Sequence, residues 1–135
     1  MSDERPQHDA DALDVERVIC RLNDIDDPGA RGFTIGQGDW PLRGFVVRVG
    51  AEAHAYVNSC PHARHPLNLG PNRFLTPRGE LILCSSHGAL FDKRTGFCIA
   101  GPCAGQSLQR VDVKLDSGFV MLADDVDPQV LADRL

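Results

Sequence analysis

Cys60-Pro61-His62 and Cys84-Ser85-Ser86-His87 are the residues of this chain best suited to chemistry. Each pair brings one thiolate and one imidazole, ligand types that transition-metal sites share. The members of a pair are two or three positions apart, so one short loop can present each pair. Two such loops facing each other complete a four-ligand site. A tetrahedral zinc site of mixed Cys and His is one reading of this set. The usual zinc frameworks, two C-x-x-C pairs or C-x-x-C with H-x-H beside a helix, are not present.

Strands must position these loops. Val15 to Leu22 alternates and reads as a first strand, followed by a turn at Asp26-Asp27-Pro28-Gly29. Phe33-Thr34-Ile35 is a short strand. Phe45 to Val49 is a β-branched run, Gly50-Ala51 a tight connection, and His54 to Val57 its hairpin partner, leading into Cys60. Leu81 to Cys84 is a strand that delivers the second pair. Leu108 to Leu115 alternates, Asp116-Ser117-Gly118 turns, and Phe119 to Leu122 returns. Asp127-Pro128 opens a short helix ending near Leu135, with Pro in the first turn. Many short strands with Gly-rich turns predict an all-β fold. Residues 1–14 are acidic and aperiodic and read as a disordered tail.

The chain has 135 residues, which suits one domain, and a formal net charge of −5 without a Lys/Arg cluster. Nucleic acid and anionic membranes are therefore not expected partners. No apolar run is long enough to span a bilayer, and the N-terminal stretch lacks the features of a secretion signal, so the expected location is cytoplasmic. Five cysteines in such a chain argue against a disulfide framework. Cys20 falls in the first strand and is expected to be a buried apolar residue. Cys98 and Cys103 flank Gly101-Pro102; two free thiols or a disulfide are both open. Trp40 and Phe45 read as core aromatics. His65 lies outside both pairs and is not an expected ligand; His54 in a strand and His8 in the tail read as structural or solvated.

The order C-x-H then C-x-x-H, followed by Gly88-Ala89-Leu90-Phe91-Asp92, Thr95-Gly96 and Gly101-Pro102, resembles the Rieske 2Fe–2S family. Trp40 to Val47 and Tyr56 to His62 add to the likeness, which covers roughly residues 15–123. The resemblance implies an antiparallel β-sandwich base with an inserted cluster-binding subdomain, here about 59–103 within a domain of 15–123; the short helix read from Asp127-Pro128 lies beyond it, in 124–135. It implies that Cys60 and Cys84 hold one iron of a Rieske 2Fe–2S cluster, and His62 and His87 the other. In respiratory members each ligand loop carries a further Cys, and the two pair. The matching positions here are His65 and Ser86, so the likeness is to the soluble ferredoxin-like branch. The segment from Asn68 to Gly79 is longer than usual and is expected to add surface beside the cluster. Pro102 is expected to close over the cluster, and Asp92 to fix its loop.

Two imidazoles in place of two thiolates raise the potential into a band of about −150 to +300 mV. High-potential members resemble H-G-S-x-Y, with hydroxyls aimed at the cluster. Ala89 and Phe91 stand there in this chain, which implies the low end of the band. The implied function is a one-electron carrier between a flavin-dependent reductase and an oxygenase or other oxidoreductase. Such a chain is an electron-transfer component rather than a stand-alone enzyme, and no catalytic residue is assigned. The alternatives are a small Rieske subunit of a larger oxidoreductase, nitrite reductase-like or oxygenase, and a structural zinc module.

Overall fold

The computed structural model of the chain describes residues 17–36, 41–61, 65–68 and 70–133. Among the described residues, ten strands precede one short α-helix: β1 (Val18–Arg21), β2 (Gly29–Ile35), β3 (Leu42–Val49), β4 (Glu52–Val57), β5 (Ile82–Leu83), β6 (Leu90–Phe91), β7 (Cys98–Ala100), β8 (Arg110–Val111), β9 (Val113–Asp116), β10 (Phe119–Leu122) and α1 (Pro128–Asp133). They form three sheets, ordered β1-β10-β9, β2-β3-β4-β8 and β5-β6-β7. All strand pairings are antiparallel. The all-β expectation is met.

The β3–β4 hairpin is the centre of the molecule. Val49 faces Glu52 in register, so Gly50-Ala51 closes the hairpin as a two-residue turn. Successive side chains leave opposite faces. Val46, Ala55 and Val57 enter one core, with Cys20, Ile25, Val111, Val120 and Leu122. Phe45, Val47 and Tyr56 enter the other, with Leu67, Phe74, Ile82, Phe91 and four cysteines. The sheet is thus covered on both faces, as a sandwich requires. Cys20 is buried in the first core as expected, and Phe45 is fully buried in the second. Trp40 and the tail with His8 lie outside the described residues.

Several elements differ from the expected ones. β2 begins at Gly29 rather than Phe33, because every residue from Gly29 to Ile35 pairs with β3. That pairing satisfies the backbone of a Gly-rich stretch with little strand propensity of its own. The run from Leu108 to Leu115 is not one strand. β8 pairs with β4 and β9 with β10, so the chain changes sheets at Asp112. The short β6 and β7 carry no readable alternation. The helix starts as expected: Asp127 Oδ1 accepts from the backbone N–H groups of Gln129 and Val130 at 3.0 and 3.3 Å, an N-cap arrangement.

The long connection before β5 folds back onto the base. Asn72 Oδ1 accepts from Gly32 N at 2.9 Å. The Phe74 ring stacks on Phe45 with centroids 4.3 Å apart. Leu75 bridges to Ile82, and Leu83 N donates to Phe74 O at 2.8 Å. The surplus residues are packed between β2 and the second ligand loop, not simply laid out as free surface.

Candidate metal centre

Three loops converge at one end of the second core. The first follows β4 and carries Cys60. Its shape is set from behind by Asn58, whose Oδ1 accepts from Leu67 N at 2.8 Å and whose Nδ2 donates to Asn68 Oδ1 at 3.0 Å. Cys60 N donates to His65 O at 2.9 Å. His65 therefore serves through its carbonyl, and its side chain is exposed. His62 lies outside the described residues.

The second loop follows β5. Cys84 N donates to Ala89 O, and Gly88 N donates back to Cys84 O, both at 2.9 Å. Gly88, with φ +74, supplies the left-handed step that lets the chain reverse after His87. Ser85 N donates to Leu67 O at 2.9 Å and ties this loop to the first. His87 is exposed, as are Ser85 and Ser86.

The third loop follows β7. Gly101, with φ +102, lies against the second loop: a Cβ there would stand 2.7 Å from Ala89 Cα. Only a glycine fits this approach. Pro102 beside it is exposed. Cys103 turns inward and is fully buried.

The structure brings the two thiols expected as ligands into one buried group. Cys60 and Cys84 are 2% and 0% exposed and belong to one core. Burial pushes the Cys84 thiol up, while backbone N–H groups of Ser86 and His87 act on its sulfur in the opposite sense, and the Cys60 thiol is a side-chain partner. A buried sulfur already supplied with backbone donors is arranged to accept negative charge, as an iron-bound thiolate requires. The donor set fits a 2Fe–2S cluster. Among the described residues, which do not include His62, there is no group of three His, Cys, Asp or Glu side chains placed to hold a metal ion.

Neighbouring residues hold the frame. Burial disfavours the Asp92 carboxylate, but backbone N–H groups of Arg94 and Thr95 donate to Oδ1 at 2.8 and 3.0 Å and leave its pKa lowered. Asp92 fixes the turn after β6, as expected. Tyr56 Oη donates to Lys93 O at 2.7 Å, and burial pushes its pKa up to about 12. His54 sits between Glu52 Oε1 at 2.8 Å and Arg110 Nη2 at 3.2 Å, a structural role away from the ligand loops.

A family model described as the Rieske [2Fe-2S] domain matches residues 15–117. The chain belongs to the Rieske family. Among solved structures, it is similar to the ferredoxin of carbazole 1,9a-dioxygenase from Nocardioides aromaticivorans IC177, at 26% identity and TM-score 0.63, over 78% of this chain and 94% of that one. It is similar to a ferredoxin from Sphingomonas yanoikuyae B1, at 25% identity and TM-score 0.59, over 79% and 96%. A third likeness is to a chain in the complex of reduced oxygenase and oxidised ferredoxin of carbazole 1,9a-dioxygenase, at 27% identity and TM-score 0.61, over 78% and 99%. No curated protein matches the chain significantly. As a Rieske domain of ferredoxin type, the protein carries a Rieske 2Fe–2S cluster and acts as a one-electron carrier. No helix among the described residues is long and apolar enough to cross a membrane.

Cys98 and Cys103, left open between thiols and a disulfide, are free thiols with their sulfurs 3.1 Å apart. Their closeness is foreshadowed by the Gly-Pro turn between them. Their place in the same core as Cys60 and Cys84 has no signal in the sequence.

Proposed function

We propose that Cys60, His62, Cys84 and His87 hold the cluster, within a subdomain spanning about 59–103. The observation that carries this reading is the buried Cys60–Cys84 thiol pair, with His87 exposed three residues along the same loop. When bound, the cluster supplies one-electron chemistry. The two buried thiols anchor it on the protein side. The Ser86 and His87 backbone N–H groups stabilise its negative charge. His87, at the solvent edge, is the place where an electron enters or leaves, and where a ring proton can be exchanged with water.

The proposed partners are a flavin-dependent reductase as donor and a terminal oxygenase as acceptor, in the cytoplasm. Support comes from the ferredoxin likenesses, one of them to a structure of ferredoxin with oxygenase. Purified holoprotein is expected to contain two irons and two labile sulfides per chain, with the low-average-g EPR signal of a reduced Rieske centre. One zinc per chain without labile sulfide would overturn the reading and leave the structural zinc module. Stopped-flow reduction by a flavin reductase, followed by reoxidation with a terminal oxygenase, tests the partners.

A second reading, a small Rieske subunit of a larger oxidoreductase, is favoured by Phe97 and Ile99, large apolar side chains 45% and 51% exposed on and beside β7. Co-purification with a large subunit at fixed stoichiometry supports it, and a monomeric holoprotein rejects it.

A further inference from the structure

The second core contains two cysteines that the ligand set does not use. A tight turn holds them. Cys98 N donates to Gln106 O at 2.8 Å, Gly105 N to Cys98 O at 3.2 Å and Gln106 N to Cys103 O at 2.9 Å. Both side chains are fully buried. Cys98 Sγ lies 3.2 Å from Ala100 O, so its proton has a carbonyl acceptor. Cys103 Sγ then has Cys98 Sγ at 3.1 Å, and the Cys60 thiol, buried in the same core, is its second sulfur partner and helps to push its pKa up.

We propose that the Cys103 thiol donates a hydrogen bond to the Cys60 sulfur and so raises the electron affinity of the cluster. The inference rests on the reading of Cys60 as a ligand. A ligated Cys60 is a thiolate, whereas Cys98 is a neutral thiol. A buried donor bonds the more negative acceptor, and charge-assisted bonds are roughly twice as strong as neutral ones. The low local dielectric strengthens that preference. Reduction adds one negative charge, so the reduced state gains more from the donor than the oxidised state does. Ala89 and Phe91, buried in the same core, have no side-chain proton to offer. The thiol of Cys103 is the polar hydrogen this core brings to Cys60 from the third loop.

The experiment is protein-film voltammetry of holoprotein, with iron, sulfide and EPR measured on each sample. Cys103→Ala is expected to keep the cluster and to lower the equilibrium constant for reduction three- to tenfold, tenfold being 59 mV for one electron. Cys103→Ser, which retains a donor, is expected to titrate at or above the parent, and Cys98→Ala at the parent. Cys103→Ala at the parent's potential with its cluster intact would overturn the proposal. An equal fall in Cys98→Ala would also overturn it, because packing and not donation would then be the cause. Alkylation of the unfolded parent followed by mass spectrometry is expected to label both thiols. A Cys98–Cys103 disulfide would leave no proton and sink the idea. A parent without iron and sulfide overturns the ligand reading itself, a result distinct from all of these.

Discussion

Val46, Ala55 and Val57 leave one face of the β3–β4 hairpin and meet Val111, Val120 and Leu122; Phe45, Val47 and Tyr56 leave the other and meet aromatic rings and four cysteines. The first core is built almost wholly from aliphatic side chains on regular strands. It can close by hydrophobic burial alone. The second is built largely from loops, and its polarisable sulfurs are gathered where backbone donors converge. Its lining suits a charged inorganic group more than further hydrocarbon. One alternating hairpin thus lines two interiors, one aliphatic and one that gathers the buried sulfurs.

The sharpest way to separate the two cores is to remove a sulfur. Cys84→Ala is expected to abolish cluster binding, read as loss of iron, labile sulfide and visible absorption, while far-UV circular dichroism keeps its β signal. Loss of the β signal as well would show that the aliphatic core does not close alone. The mirror experiment is Leu122→Ala, in the first core and fully buried. Chemical denaturation should show a loss of about 2–5 kcal/mol, with the EPR spectrum and potential unchanged. A shifted potential would mean that the two cores are mechanically coupled through the hairpin.

A smaller effect is expected inside the second core. Ala89→Ser with Phe91→Tyr introduces hydroxyl donors and should raise the potential by tens of millivolts. A charge-assisted bond contributes about 1.5–3 kcal/mol, of which only the redox-dependent part appears in the potential. Voltammetry at the parent's value would show that the loop backbone, not these side chains, sets the potential. Gly101 packed on Ala89 makes the serine the tighter of the two changes.

The smallest effect concerns Asp92. Its pKa is lowered in the folded chain, with the backbone donors outweighing burial. Its contribution is therefore present above the ordinary carboxylate range and is lost as pH falls through the folded pKa. Asp92→Asn should be slightly less stable than the parent at pH 7, with the two converging at low pH. A difference that does not depend on pH would assign the loss to geometry rather than charge.

What the sequence disclosed follows the same division. The two Cys-His pairs stand out in the sequence because few chemistries need one Cys and one His at each of two loops, and the structure brings Cys60 and Cys84 into one core. The regular hairpin and the helix start at Asp127-Pro128 were legible because alternation and capping are local. The strand expected over Leu81 to Cys84 forms as β5, Ile82–Leu83, whereas the two-residue β6 and the three-residue β7 are too short for a period and are settled by packing. Val111 to Leu115 alternates across Asp112, but alternation says which face is buried and not which sheet is joined, so the change at Asp112 was hidden. The contact of Cys103 with Cys60 spans 43 positions and no local pattern records it.

The segment before β5 has one more consequence. It is pinned at Gly32 by Asn72, at Phe45 by Phe74 and at Pro28 by the close approach of Gly79, and it reaches the second ligand loop through Leu83. In mechanical terms it is a brace between the base and the loop that presents Cys84 and His87. Trimming it would touch none of the proposed ligands, yet it would take away the prop beneath the loop that presents Cys84 and His87.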